Sequence, residues 1–150
     1  MIRKAVTSLA LSAVALVGIA VHEGYEGSAY QDIVGIWTIG FGTTEGVRPN
    51  QTITPVTALQ RKLTDVQKFE GALKQCVTVP LSQNEYDAYI SLAYNIGSGA
   101  FCNSTLVRLL NQGQYDMACQ QILRWNRAGG QVVQGLVNRR QAEYKLCIQP

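Results

Sequence analysis

The chain has 150 residues, 47% of them apolar and 15% charged, enough for one well-packed domain and too apolar for wholesale disorder. Its formal net charge is +3, and Arg3 and Lys4 supply two of those charges. The remainder is close to neutral, which argues against a nucleic-acid binder built on a broad basic face.

Residues 5–21, AVTSLALSAVALVGIAV, carry no charge and lift the mean hydropathy to +0.01. As one helix they would span about 26 Å, just short of a ~30 Å hydrocarbon core. The run is dilute: five Ala, two Ser, one Thr and one Gly stand against three Leu and one Ile. It reads as a cleaved signal peptide ending at Gly18-Ile19-Ala20, as a lasting anchor, or as a segment that enters the membrane and leaves it. All three carry the chain across an inner membrane, with the N-terminus cytoplasmic behind Arg3 and Lys4.

Residues 28–53 are punctuated by Gly35, Gly40, Gly42 and Gly46, and Ile36-Trp37-Thr38-Ile39 predicts a short strand in a small antiparallel sheet. From Thr54-Pro55 the pattern turns helical. Val56, Leu59, Leu63, Val66, Phe69 and Leu73 form one face of a helix over 55–75. Ser82-Gln83-Asn84-Glu85 reads as a capping box opening a helix that runs to Asn95-Ile96-Gly97. Further helices are expected over 104–112, 115–125 and 136–146, the last after a break at Ala128-Gly129-Gly130. The fold class is α+β: a small sheet lobe and a larger helical lobe joined by the long helix, with a cleft between them.

Cys76, Cys102, Cys119 and Cys147 follow the apolar run at spacings of 26, 17 and 28, which match no zinc or CxxC pattern. Two disulfides in an oxidising compartment are expected. Of the three possible pairings, Cys102–Cys119 would staple two successive helices, and Cys76–Cys147 would tie the long helix to the C-terminus. No metal site or cofactor is expected.

Glu23 ends the apolar segment, Asp32 follows nine positions on and Thr38 six further. A carboxyl at a helix end, a second on the loop entering a hairpin and a hydroxyl on the strand can meet in one cleft. Two carboxyls in unlike surroundings, one protonated by apolar neighbours and one ionised, are the equipment for glycosidic cleavage. By spacing alone, two such acids are more often two solvated side chains. Glu26 could stand in as the acid, though displaced from the helix face of Glu23. His22 could tune Glu23 or be merely solvated. Tyr30, Trp37 and Trp125 could meet sugars or pack, and Arg139 or Arg140 could approach Glu23 or form a surface ion pair.

The surrounding residues narrow the choice. Glu23, Asp32 and the strand Thr38-Ile39-Gly40-Phe41-Gly42 resemble the signature of the phage-type lysozymes, glycoside hydrolase family twenty-four. The likeness continues through Val79-Pro80-Leu81-Ser82, Tyr94-Asn95-Ile96-Gly97, Arg124-Trp125-Asn126-Arg127-Ala128-Gly129-Gly130 and Gly135-Leu136-Val137-Asn138-Arg139-Arg140, covering residues 22–147. One departure is Thr43, where many relatives place His after the strand glycine. The resemblance implies a muramidase acting on the β-1,4 bond from N-acetylmuramic acid to N-acetylglucosamine in peptidoglycan, without cofactor; a monomer is expected, since nothing in the sequence requires more. It implies Glu23 as general acid, Asp32 as the group that assists water or stabilises the cationic transition state, and Thr38 as the residue that positions the water, with the wider carboxyl separation of an inverting enzyme. Residues 1–21 resemble the signal-arrest-release segment of some lambdoid-phage endolysins. That likeness implies an uncleaved tether in the host inner membrane that becomes the first helix after release to the periplasm, with 22–150 as the muramidase domain. A lytic transglycosylase using Glu23 alone and a wall-binding protein without turnover are the competing readings.

Overall fold

The computed structural model describes every residue from Met1 to Pro150. Two compact units divide the chain, one of Met1–Ser12 with Phe69–Pro150 and one of Ala13–Lys68. The element order is α1 (Ala13–Glu23), β1 (Glu26–Gln31), β2 (Trp37–Gly40), α2 (Pro55–Cys76), α3 (Gln83–Ile96), α4 (Ser98–Cys102), α5 (Thr105–Asn111), α6 (Tyr115–Gln121), β3 (Arg127–Ala128), β4 (Gln131–Val132) and α7 (Gln134–Cys147).

In the unit of Ala13–Lys68, β1 and β2 pair antiparallel, with Glu26 opposite Gly40 and Tyr30 opposite Thr38, and β1 bulges between those pairs. The first part of α2 follows. Thr54 starts it, its Oγ1 accepting from the Thr57 amide, and Pro55 occupies the first turn, where no amide hydrogen is needed.

The other unit is helical. The capping box forms as the sequence predicts: Ser82 Oγ accepts from the Glu85 amide while the Glu85 carboxylate accepts from the Ser82 amide. Tyr86, Tyr89, Ile90 and Leu92 of α3 are fully buried together with Leu73, Leu106, Leu110 and Ile122. α3 packs on α7, where Arg140 and Glu143 are buried and ion-paired. Arg139 also pairs with Glu143, and these pairs are buried where a surface ion pair was the expectation. The break at Gly129-Gly130 is a tight hairpin between β3 and β4, both glycines having positive φ.

The disulfides correct the expected pairing. Cys76 joins Cys102, and Cys119 joins Cys147; Cys102–Cys119 and Cys76–Cys147 do not form. Residues 98–102 make a helix of their own, not expected from the sequence, and it delivers Cys102 to the C-terminal end of α2, close to the Ala72 carbonyl. The helical hairpin forms between α5 and α6 instead, so Cys119 faces α7 and its last residue, Cys147.

The N-terminal run also departs from one helix over 5–21. Val6–Ser8 make a single tight helical turn, and the helix ending at Glu23 starts only at Ala13. Residues 1–12 are held along the helical unit by directional bonds that a continuous helix could not make. Lys4 bridges Leu81 through both backbone groups, the Leu11 amide donates to Glu70 Oε1, and the Ser12 amide donates to Asp87 Oδ1. No helix is long and apolar enough to cross a membrane.

Candidate active site

Glu23, Asp32 and Thr38 all belong to the unit of Ala13–Lys68. Glu23 is the last residue of α1 and is exposed. Gly24, with a φ of 71° and its amide donating to the Ala20 carbonyl, turns the chain directly into β1.

Asp32 ends that strand in a tight loop. Its Oδ1 accepts from the amides of Val34 (2.9 Å) and Ile36 (2.8 Å), and its backbone closes the loop to Gly35 and Ile36. One carboxylate oxygen therefore fixes the loop, and Oδ2 is the oxygen the loop does not use. The sequence cause is local: Asp favours such side-chain-to-backbone turns, and Gly35 supplies the positive φ of 82°.

Thr38 lies on β2 opposite Tyr30, 5% exposed, with its Oγ1 donating to the Ile36 carbonyl at 3.0 Å. Asp32 and Thr38 are thus tied to the same short loop through Ile36, whose amide serves the first and whose carbonyl serves the second. Strand alternation puts Tyr30, Thr38, Gly40 and Glu26 on one face.

A cavity of about 240 Å³ opens beside Glu23, lined by Glu23, Gly24, Tyr25, Glu26, Tyr30 and Gly40. Asp32 and Thr38 are not among its walls. The apolar surroundings expected for Glu23 are only partly present, because Glu26 shares the cavity with the two tyrosines. Tyr30 is a cavity wall and not core. Tyr25, which the sequence did not single out, donates its hydroxyl to the Ile53 carbonyl at 2.7 Å and leans on Phe41, their centroids 5.4 Å apart. His22 is exposed, while Trp37 and Trp125 are half-buried. No group of His, Cys, Asp and Glu is arranged to hold a metal ion.

Thr43, the departure noted in the sequence, is buried, and its Oγ1 donates to Asp65 Oδ2 on α2 at 2.6 Å. Nothing in the sequence marked Asp65, 22 positions away, as its acceptor.

Comparison with known proteins places this architecture. The family model described as Phage lysozyme matches residues 20–143. The SAR-endolysin of Pseudomonas phage phiKMV is 41% identical over 142 residues, covering 92% of this chain and 88% of that one. Among solved structures, the endolysin from Escherichia coli O157:H7 phage FAHEc1 superposes with a TM-score of 0.86 at 35% identity, over 99% of this chain and 97% of that one. A P22 lysozyme mutant superposes with a TM-score of 0.85 at 36% identity, over 94% and 99%.

Proposed function

The chain belongs to the phage lysozyme family, and from that premise we propose that Glu23, Asp32 and Thr38 carry out its hydrolysis of peptidoglycan during host lysis. It is a glycosidase of the endolysin type. The bond cleaved is the β-1,4 link from N-acetylmuramic acid to N-acetylglucosamine. Glu23 protonates the leaving oxygen, Asp32 takes a proton from the attacking water through Oδ2, and Thr38 orients that water. The observation that carries the assignment is the shared loop: Oδ1 of Asp32 and Oγ1 of Thr38 are both fixed through Ile36, leaving Oδ2 as the working oxygen.

Glu23→Gln tests it. The amide keeps the shape and cannot donate the required proton, so lysis of chloroform-treated Gram-negative cells should fall by at least ~10²-fold. Glu26→Gln should stay within about twofold of wild type, since Glu26 lies on β1 and takes no step. An active Glu23→Gln protein, or an inactive Glu26→Gln protein that folds, would reverse the assignment.

The N-terminal segment supports a second part of the reading. Before release, residues 5–21 lie in the host inner membrane, behind the cytoplasmic charges of Arg3 and Lys4. After release to the periplasm, Ala13–Glu23 forms α1 and residues 1–12 strap onto the helical unit. The working enzyme is a monomer. The weak apolar run, the bonds that occupy residues 3–12 and the SAR-endolysin relative support this reading. Replacing Ser8, Ser12 and Gly18 with Leu should hold the protein in the membrane fraction, at about 0.3–0.6 kcal/mol per central Leu plus relief of the polar groups. A soluble and fully active Leu variant would sink the tether.

A further inference from the structure

Loop 40–43 is fastened at four points. Gly40 approaches α2 so closely that a Cβ there would stand 2.9 Å from Ala58 Cβ. Ile39 and Thr43 exchange both backbone hydrogen bonds at 3.0 Å, closing the loop on itself. Thr43 Oγ1 is bound to Asp65, which lies about two helical turns beyond Ala58 on the same face of α2. Phe41 leans on Tyr25, two residues after Glu23, and Tyr25 is held by the Ile53 carbonyl.

The loop presents Gly42 to the Glu23 side chain. A Cβ at position 42 would stand 3.1 Å from Glu23 Oε2, 3.7 Å from its Cβ and 3.8 Å from its Cδ. The Glu23 side chain therefore runs across the bare Cα of Gly42, whose φ of 81° also disfavours any side chain there. Glu23 is the last residue of its helix, and on this side its carboxyl lies against the glycine surface.

We infer that Gly42, held in place by the hydrogen bond from Thr43 to Asp65, is a seat that limits the Glu23 carboxyl on one side, and that Thr43 is a positioning residue for the hydrolysis. The inference rests on Glu23 being the acid. The acid must meet the leaving oxygen within hydrogen-bond reach, and small misplacement of a catalytic group is costly in rate. A seat of this kind acts on the rate of the chemical step and leaves glycan binding largely unchanged. A merely structural hydrogen bond would act on stability alone.

Thr43→Val, Thr43→Ser, Gly42→Ala and Glu23→Gln should be compared on solubilised peptidoglycan glycan strands, well below the unfolding midpoint of each. Thr43→Val removes the donor at nearly constant shape, and Gly42→Ala puts a methyl against Oε2. Each should lower kcat by about tenfold or more with KM within about twofold. Thr43→Ser restores the hydroxyl and should return kcat to within about twofold of wild type. If Gly42→Ala does not fold, the Val and Ser pair at position 43 decides. A Thr43→Val enzyme with wild-type kcat and a lowered unfolding midpoint overturns the seat, as does a Ser variant as slow as the Val one. Glu23→Gln separates the two ideas. An active Glu23→Gln enzyme overturns the acid itself, while an inactive one beside a fast Thr43→Val overturns only the seat.

Discussion

Arg3 is the residue on which the N-terminal strap should depend most. Its Nε lies 3.1 and 3.0 Å from the two Glu85 oxygens and its Nη2 2.7 Å from Oε1, and its guanidinium sits 3.6 Å over the Tyr115 ring. Glu85 is 1% exposed while the Arg3 side chain is 29% exposed. Breaking a fully buried pair costs about 3–5 kcal/mol and an exposed one about 0–1. Here the arginine is partly solvated, and Glu85 without it would still accept from the Ser82 amide at 2.8 Å. Arg3→Met should therefore cost about 2–3 kcal/mol, the ring contact contributing about 0.5–1 of that. For a chain of this size that is about 5–10 °C in Tm. Glu85→Gln keeps the capping bond, because Gln serves at that position as Glu does. A cycle of Arg3→Met and Glu85→Gln in urea, on the purified released protein, isolates the pair from any effect on membrane topology. A coupling energy below about 0.5 kcal/mol would refute the argument that the strap is clamped through Arg3.

Other features of the fold carry their own expected outcomes. The Cys76–Cys102 and Cys119–Cys147 bridges close loops of 26 and 28 residues, so each double Ser variant should lose about 3.5 kcal/mol by urea unfolding. Non-reducing peptide mapping should recover those two pairs, and a Cys76–Cys147 peptide would contradict the fold around α4. Burial pushes the phenols of Tyr86 and Tyr89 well above their usual value near 10, helped at Tyr86 by its hydrogen bond to Glu70. The neutral phenol is the form the folded chain favours. The stability it contributes is complete below about pH 10 and is lost as pH rises past that value, at about 1.4 kcal/mol per pH unit for each phenol. Unfolding midpoints that stay flat from pH 10 to 11.5 would contradict this. Finally, if Asp32 delivers water from the opposite face, NMR of fresh digests should show the anomer of inverted configuration first. A retained product would give Asp32 the part of a nucleophile.

Much of this was legible because it is local. Periodicity placed α2, and start and stop residues placed α3 and α5, to within a residue or two; the capping box at Ser82 and Glu85 was readable as four consecutive letters. The position of Asp32 in a tight loop followed from Asp and Gly35 in the same short stretch. What the letters did not carry were pairings between distant segments. The disulfide partners depended on α4, a five-residue helix too short to show a period, which turns Cys102 toward α2. The run 5–21 is uncharged and holds no proline, and so matches a helix throughout. It breaks at 9–12 because the amides of Leu11 and Ser12 meet the buried carboxylates of Glu70 and Asp87, from segments more than fifty residues away.

Under the proposed release, that break bears on how one sequence would serve two environments. In lipid every backbone amide must be satisfied within its own segment, which leaves residues 5–21 only the helical solution. In water two of the same amides meet protein acceptors, Leu11 on Glu70 and Ser12 on Asp87, and just ahead of the run Lys4 donates to the Leu81 carbonyl. Without the strap Glu70 keeps the Tyr86 hydroxyl and Asp87 the Gln83 amide, so each buried carboxylate gains a further donor when the strap is captured from outside the bilayer. Under the proposed release, the free energy that opposes membrane residence therefore has two sources, the dilute apolar content of the run and the acceptors that meet its amides. Glu70→Gln with Asp87→Asn would weaken only the second. Those substitutions should slow release and leave the insertion of residues 5–21 unchanged, which membrane fractionation after collapse of the potential can separate. An unchanged release time with a destabilised purified enzyme would show that the acceptors act after release and play no part in driving it.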